Sequence, residues 1–167
     1  MKQDFATVYE DEVWTVYGFF AYRVPSVSDA EDLTQRTFER ALRAWARFDP
    51  ERASARTWLL AIARNLLIDH YRADVWGRQQ AIDEVPEGEL GSELPEPNLG
   101  IEPDLARALA TLVPRDREIV ALRFGGDLTG PEIAALTGLS VANVQQILSR
   151  SLRRLRAELE APARPAR

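Results

Sequence analysis

The chain has 167 residues, 46% of them hydrophobic and 28% charged, with no cysteine and one histidine. That length suits one ordinary domain or two small ones, and the composition suits a packed globular chain. Disulfides, thiol chemistry and any cysteine or histidine metal cluster are excluded, and the net charge of −5 argues against a uniformly basic nucleic-acid binder.

That charge is unevenly spread. Residues 1–80 carry a net −1, residues 81–104 a net −8 with no basic group, and residues 105–167 a net +4. The middle segment, AIDEVPEGELGSELPEPNLGIEPD, holds four prolines and three glycines. Proline cannot donate a helical hydrogen bond, glycine loses most entropy when fixed, and like charges repel. An acidic flexible linker is therefore expected over 79–103. It separates a first module at 1–78 from a second at 104–160, with a disordered tail at 161–167.

Both modules read as all-α, because apolar residues recur at three- and four-residue steps and β-type alternation is missing. The first predicted helix runs from about Asp4 to Arg23 and stops before Pro25. The second starts at SDAE, where Ser28 and Glu31 have capping-box spacing, and ends near Phe48, before Pro50. The third spans about Ser54 to Arg72 or a little beyond. In the second module, a helix starts near Pro103 and breaks at Pro114. Another covers RDREIVALRF up to Gly125 and Gly126. Thr129 and Glu132 form a second capping box around Pro131, and that helix ends at Gly138. The last helix runs from about Val141 to Glu160.

The segment GPEIAALTGLSVANVQQILS has the spacing of a helix-turn-helix. Ala134 is small enough for two helices to approach, Gly138 supplies the turn, and Val144 fills the space between them. Ile133, Leu136 and Leu139 complete a small core, and Ser140 is a good N-cap. The second helix would enter a major groove. At about 100° per residue, Val141, Val144, Leu148, Leu152, Leu155 and Leu159 make its apolar stripe. Gln146, Ser149, Arg150 and Arg153 lie opposite, with Ala142 and Asn143 near the exposed start. Ile147 sits at the stripe's edge, facing either core or groove. Asn and Gln suit adenine edges, and Arg suits guanine or phosphate.

In the first module, DAEDLTQRTFERALRAWARFDP places acids at a helix start and arginines at Arg36, Arg40, Arg43 and Arg47. ARTWLLAIARNLLIDHYR sets Arg64, Asn65 and Arg72 in an apolar helix, with Asn65 and Arg72 sharing a side with the small Ala61. His70 is expected at the surface. Trp14, Trp45, Trp58 and Trp76 are expected as packing or interface residues.

DAEDLTQRTF, TWLLAIARNLLIDHYR and LVPRDREIVALRF, followed by the helix-turn-helix and taken in that order, resemble the extracytoplasmic-function (ECF) sigma factors of bacterial RNA polymerase, over about residues 5–160. The resemblance implies a promoter-specificity subunit. It implies binding to core RNA polymerase through Asp29, Glu31, Asp32, Gln35 and Phe38. It implies −10 promoter DNA recognition and melting by Phe48, Arg56, Ala61, Arg64, Asn65 and Arg72, with one non-template base flipped into a pocket. It implies −35 recognition by Ser140, Asn143, Gln145, Gln146, Ser149, Arg150 and Arg153. Promoter DNA and core RNA polymerase are then the partners, an anti-sigma factor is a further candidate, and no cofactor, metal or catalytic residue is expected. The chain departs from the family where Gln145, Gln146 and Ile147 stand in place of the usual Lys or Arg, Ser and Arg, which leaves the fold intact and the −35 preference open. A stand-alone helix-turn-helix regulator is the alternative reading. An enzyme is not expected, since no phosphate loop or nucleophile–base set appears. Without a signal pattern or an apolar run of membrane length, the chain is expected in the cytoplasm, with no membrane insertion.

Overall fold

The computed structural model describes residues 3–82 and 100–161, with side chains to residue 77 in the first stretch. The expected tail lies almost wholly outside the described residues, as do residues 83–99 of the linker expected over 79–103, whose first four residues instead belong to a helix. Among the described residues seven α-helices follow in order: α1 Phe5–Ala21, α2 Val27–Ala44, α3 Ala55–Ile82, α4 Pro103–Ala110, α5 Pro114–Val120, α6 Gly130–Thr137 and α7 Val141–Glu160. A 3₁₀ turn, Trp45–Arg47, follows α2, and a π-helical turn, Ala121–Gly125, follows α5. No strand occurs among the described residues.

Three boundaries differ from the sequence reading. The cap of α2 is Ser26, whose hydroxyl accepts from the Asp29 backbone N–H at 3.0 Å, so Ser28 falls inside the first turn. Ser26 is the first residue after Pro25 able to take the extended cap conformation, with φ −130° and ψ 143°. Helix α3 continues ten residues past Arg72, to Ile82. Gly77 alone does not stop it, because a mid-helix glycine costs only about 1 kcal/mol against alanine. The helix around RDREIVALRF is not uniform, for α5 passes into the π turn at Ala121. There the Gly126 N–H reaches the Ala121 carbonyl at 2.8 Å, five residues back.

Helices α1, α2 and α3 pack on one another, and α4, α5 and α6 pack on α7. The two groups also meet. The π turn lies along α1 and α6 touches α3. One apolar cluster runs from Phe19, Phe20, Leu59, Leu60 and Leu66 of the first module through Ile119, Leu122 and Leu128 to Val144 and Ile147 of the second. A smaller cluster of Leu109, Leu112, Val120 and Leu155 seats α4 on α7. Fully buried leucine, isoleucine and phenylalanine side chains contribute about 1.5–3 kcal/mol each, so the shared cluster is a substantial bond between the modules.

Candidate polymerase and promoter surfaces

The helix-turn-helix forms as its spacing requires. The Thr129 hydroxyl accepts from the Glu132 N–H, and the Glu132 carboxylate accepts from the Thr129 N–H at 2.8 Å. The first of these contacts is the expected half of the capping box, and the second closes it. These bonds hold the Glu132 carboxyl below the usual carboxylate range, the Thr129 backbone N–H being the main cause. Gly138 has φ +75° and donates its N–H to Ala134 at 2.9 Å, a left-handed helix end that favours glycine. Ser140 caps α7, its hydroxyl accepting from the Asn143 N–H at 3.1 Å. Val144 and Ile133 are fully buried between the helices.

The buried stripe of α7 is rotated from expectation. Val144, Ile147, Ser151 and Leu155 are buried, whereas Val141, Leu152 and Leu159 are exposed. Ile147 is therefore core, and does not face a groove. The rotation follows from α7 having neighbours on α4, α5 and α6 together, a concave seat that a single-stripe reading cannot supply. Opposite the seat, Ala142, Gln145, Gln146, Ser149, Arg150 and Arg153 line one shallow surface of about 520 Å³. Asn143 and Ser140 are exposed beside its start. Arg150 has a partner the sequence reading missed. Its Nε and Nη2 donate to the two oxygens of the buried Asp116 carboxylate at 3.0 and 2.7 Å. This bidentate contact raises the Arg150 pKa and ties α7 to α5.

On the first module, Glu31, Gln35 and Phe38 line a shallow groove between α1 and α2 with Phe5, Tyr9, Thr34, Glu39 and Leu42. Tyr9 and Leu42 are 46% and 58% exposed, so apolar surface stands open inside an acidic rim. Phe38 is nearly buried and packs edge-on against Tyr9 at 4.8 Å. Asp32 is exposed beside Arg36, at 3.8 Å, while Asp29 lies half-buried in the first turn of α2.

The residues expected at −10 DNA split between two sides of α3. Asn65 and Arg72 face solvent, with Ala61 half-buried on the same side. Arg40 and Asp69 meet at 3.8 Å close by. Phe48 is buried, stacked on Trp45 and tilted against Trp58, each at 4.9 Å. It thus supports the α2–α3 corner from beneath. Arg64 reaches the second module, and Arg56 spans both, held by α1 as well as by the second module. Arg56 Nε donates to Glu12 at 2.8 Å and its Nη1 to Asp127 at 2.6 Å. Arg64 Nε donates to Glu118 at 2.6 Å. Glu12, Glu118 and Asp127 were absent from the sequence reading, because their partners lie up to 71 residues away. Among the described residues no cluster could hold a metal ion and no helix is long and apolar enough to cross a membrane.

A helical module with an acid-rimmed groove, joined to a helix-turn-helix with a polar recognition face, defines a bipartite DNA-reading protein. The sequence comparisons specify it further. Residues 8–77 match the Sigma-70 region 2 family and residues 108–157 the Sigma-70, region 4 family. The chain is 32% identical over 164 residues to the ECF RNA polymerase sigma factor BldN of Streptomyces coelicolor, covering 96% of this chain and 62% of BldN. It is 31% identical over 163 residues to the ECF RNA polymerase sigma factor RpoE of Cereibacter sphaeroides, covering 93% of this chain and 86% of RpoE. The fold is similar to that of the sigma factor RpoE of Bartonella quintana, solved in complex with the anti-sigma factor NepR. The TM-score is 0.76 at 21% identity, over 96% of this chain and 99% of that one. The chain belongs to the ECF sigma factors of the sigma-70 family.

Proposed function

We propose that this chain directs core RNA polymerase to promoters, reading −35 DNA with α7 and opening the −10 element with the solvent face of α3. The single observation that carries the reading is the α7 face of Ala142, Gln145, Gln146, Ser149, Arg150 and Arg153, presented by a helix-turn-helix that leaves it exposed. Residues 1–78 then act as the polymerase-binding and −10 module, and residues 104–160 as the −35 module. The groove of Tyr9, Glu31, Gln35, Phe38 and Leu42 takes the polymerase, with Asp29 and Asp32 on the flank of α2. Its apolar floor and acidic rim fit an amphipathic partner with basic edges. The same chemistry suits an anti-sigma factor, a partner of the class held by the Bartonella quintana protein.

Melting needs no catalytic group. A base leaving the stack exchanges stacking for contacts on α3, where the Asn65 amide can pair with its edge. The chain would act as an initiation factor in the cytoplasm, alongside the polymerase.

In vitro transcription with core polymerase on a promoter library tests this, start sites appearing only with the chain present. Asn65→Ala is expected to lower open-complex formation about tenfold, in line with the ~1–3 kcal/mol of a lost base contact, and to leave polymerase binding near normal. Equal loss of both would remove Asn65 from the −10 surface. Tight duplex binding without polymerase would instead favour a stand-alone regulator.

A further inference from the structure

The polymerase and promoter contacts proposed above leave one exposed aromatic pair of α1 without a role. Trp14 is 75% exposed, and its ring meets that of Tyr17 edge-on, with centroids 6.0 Å apart and planes at 81°. Two rings at right angles form an open notch. Neither ring lines the groove of Glu31, Gln35 and Phe38. Burial and, after it, the Glu31 carboxylate raise the Tyr17 pKa, so the notch borders that groove without belonging to it.

The chain re-enters the described residues against this notch. Gly100 has φ +65°, and a Cβ there would lie 3.3 Å from Tyr17 Oη. Glycine serves both the left-handed turn and the close approach. Ile101, the next residue, packs against the same small cluster as Tyr22. From Ile101 back to Gly100 the chain thus moves along α1 from the Tyr22 end to Tyr17, and so toward Trp14. Tyr17 and Trp14 are about 4.5 Å apart along the helix axis, a distance that two extended residues cover at about 3.3–3.6 Å each. The stretch next in line is LPEPNL, residues 94–99.

We propose that the Trp14–Tyr17 notch is the docking site of residues 94–99, which lie along α1 in the free chain. Proline-rich segments suit aromatic-lined grooves because their φ is already fixed, so Pro95 and Pro97 lose little freedom on docking. Leu94 and Leu99 add apolar surface. Charge sets the register. Glu10 and Asp11 stand four and three residues before Trp14, on the same side of α1, and are exposed. They repel acids. Residues 83–93 carry five acids, whereas residues 94–99 carry Glu96 alone, so the second stretch is the one this face admits. Docking leaves residues 83–93 as the free part of the tether and brings its acids to the edge of the polymerase groove. The inference concerns the free chain and stands apart from the promoter reading.

The test uses the full-length chain alone. The sequence holds no cysteine, so Asn98→Cys carries a single bimane label, which tryptophan quenches on contact. Docking predicts a dim label whose lifetime is nearly unshortened, because a formed contact quenches before emission. In the labelled chain, Trp14→Phe keeps an aromatic ring and removes the quencher. It should be about tenfold brighter if the segment is docked nine-tenths of the time. A second variant, Leu94→Ser with Pro95→Ser, Pro97→Ser and Leu99→Ser, keeps the tether and the quencher and should recover most of that brightness. Equal brightness of the parent and Trp14→Phe overturns the proposal. So does a lifetime that shortens in step with intensity, which reports chance collisions of a tethered label. A serine variant as dim as the parent overturns it as well, and dimming that fades on dilution assigns the notch to a second copy instead.

Discussion

Arg150 is held in place by Asp116 while standing on the face proposed for −35 DNA. The Arg150 guanidinium is exposed on the α7 face, yet both of its bonded nitrogens are held by Asp116. Its charge is therefore partly neutralised before DNA arrives. Arg150→Ala is expected to lower promoter affinity of the holoenzyme and to reduce the slope of log K against log salt by about 1, the loss of one phosphate contact. Asp116→Asn should keep that slope while lowering the melting temperature. A slope unchanged in Arg150→Ala would make Arg150 purely an α5–α7 tie. Glu132 gives a pH prediction of definite sign. Its folded pKa lies below the unfolded value, mainly through the Thr129 N–H. Its contribution to stability is thus fully present above the ordinary glutamate pKa of about 4.3 and is lost as pH falls through the lower folded value. Denaturant titrations from pH 7 down to pH 3 should show Glu132→Gln losing less stability on acidification than the parent. Parallel pH profiles for the two proteins would exclude the cap as the cause. At this scale the sequence showed the caps at Thr129 and Ser140 and the turn at Gly138, because each is settled within four residues. The partners of Arg56, Arg64 and Arg150 were hidden, because each lies on a segment distant in sequence.

At the scale of elements, α3 carries the greatest share of the molecule. Its inner side supplies Leu59, Leu60, Ala63, Leu66 and Leu67 to the core. One flank offers Arg64 to the second module and Arg56 to both α1 and Asp127, and the outer side offers Asn65 and Arg72 to solvent. Leu66 is fully buried, so Leu66→Ala should cost about 2–5 kcal/mol in transfer and cavity terms, read by urea denaturation. A loss below about 1 kcal/mol would mean that the surroundings collapse into the space. The sequence placed α3 but ended it early, since a glycine and a falling apolar content resemble a stop signal that no proline enforces before residue 86. The α7 stripe was misjudged by one helical position for a different reason. Its periodicity is compatible with more than one burial angle, and Leu152 and Leu159 look as apolar as the residues actually buried. Contact with three helices at once selects Ile147 and Ser151 for the inside.

For the whole molecule, the shared apolar cluster makes the two modules thermodynamically dependent. Calorimetry of the parent chain should give one cooperative unfolding transition, with calorimetric and van't Hoff enthalpies equal. Two separated transitions would show that the modules unfold independently. The net charge of −5 acts at this scale too. An acidic chain gains little from counterion release on its own, so under the proposed function its promoter affinity would rest on the polymerase, on α7 and on the few cations of α3.

The sequence by itself determined the all-α class, the two modules, the helix-turn-helix and the ECF sigma family, because periodicity, caps and ordered motifs are local and additive. The tertiary structure alone decided which cations are available. Arg56 and Arg64 lie eight residues apart on one helix, and nothing near them in sequence indicates that Asp127 and Glu118 will cover them. Gly18 and Gly125 read as ordinary helix and turn residues until their backbones meet. Long-range ion pairs and close backbone approaches depend on where distant segments come to lie, and local propensity carries no information about that.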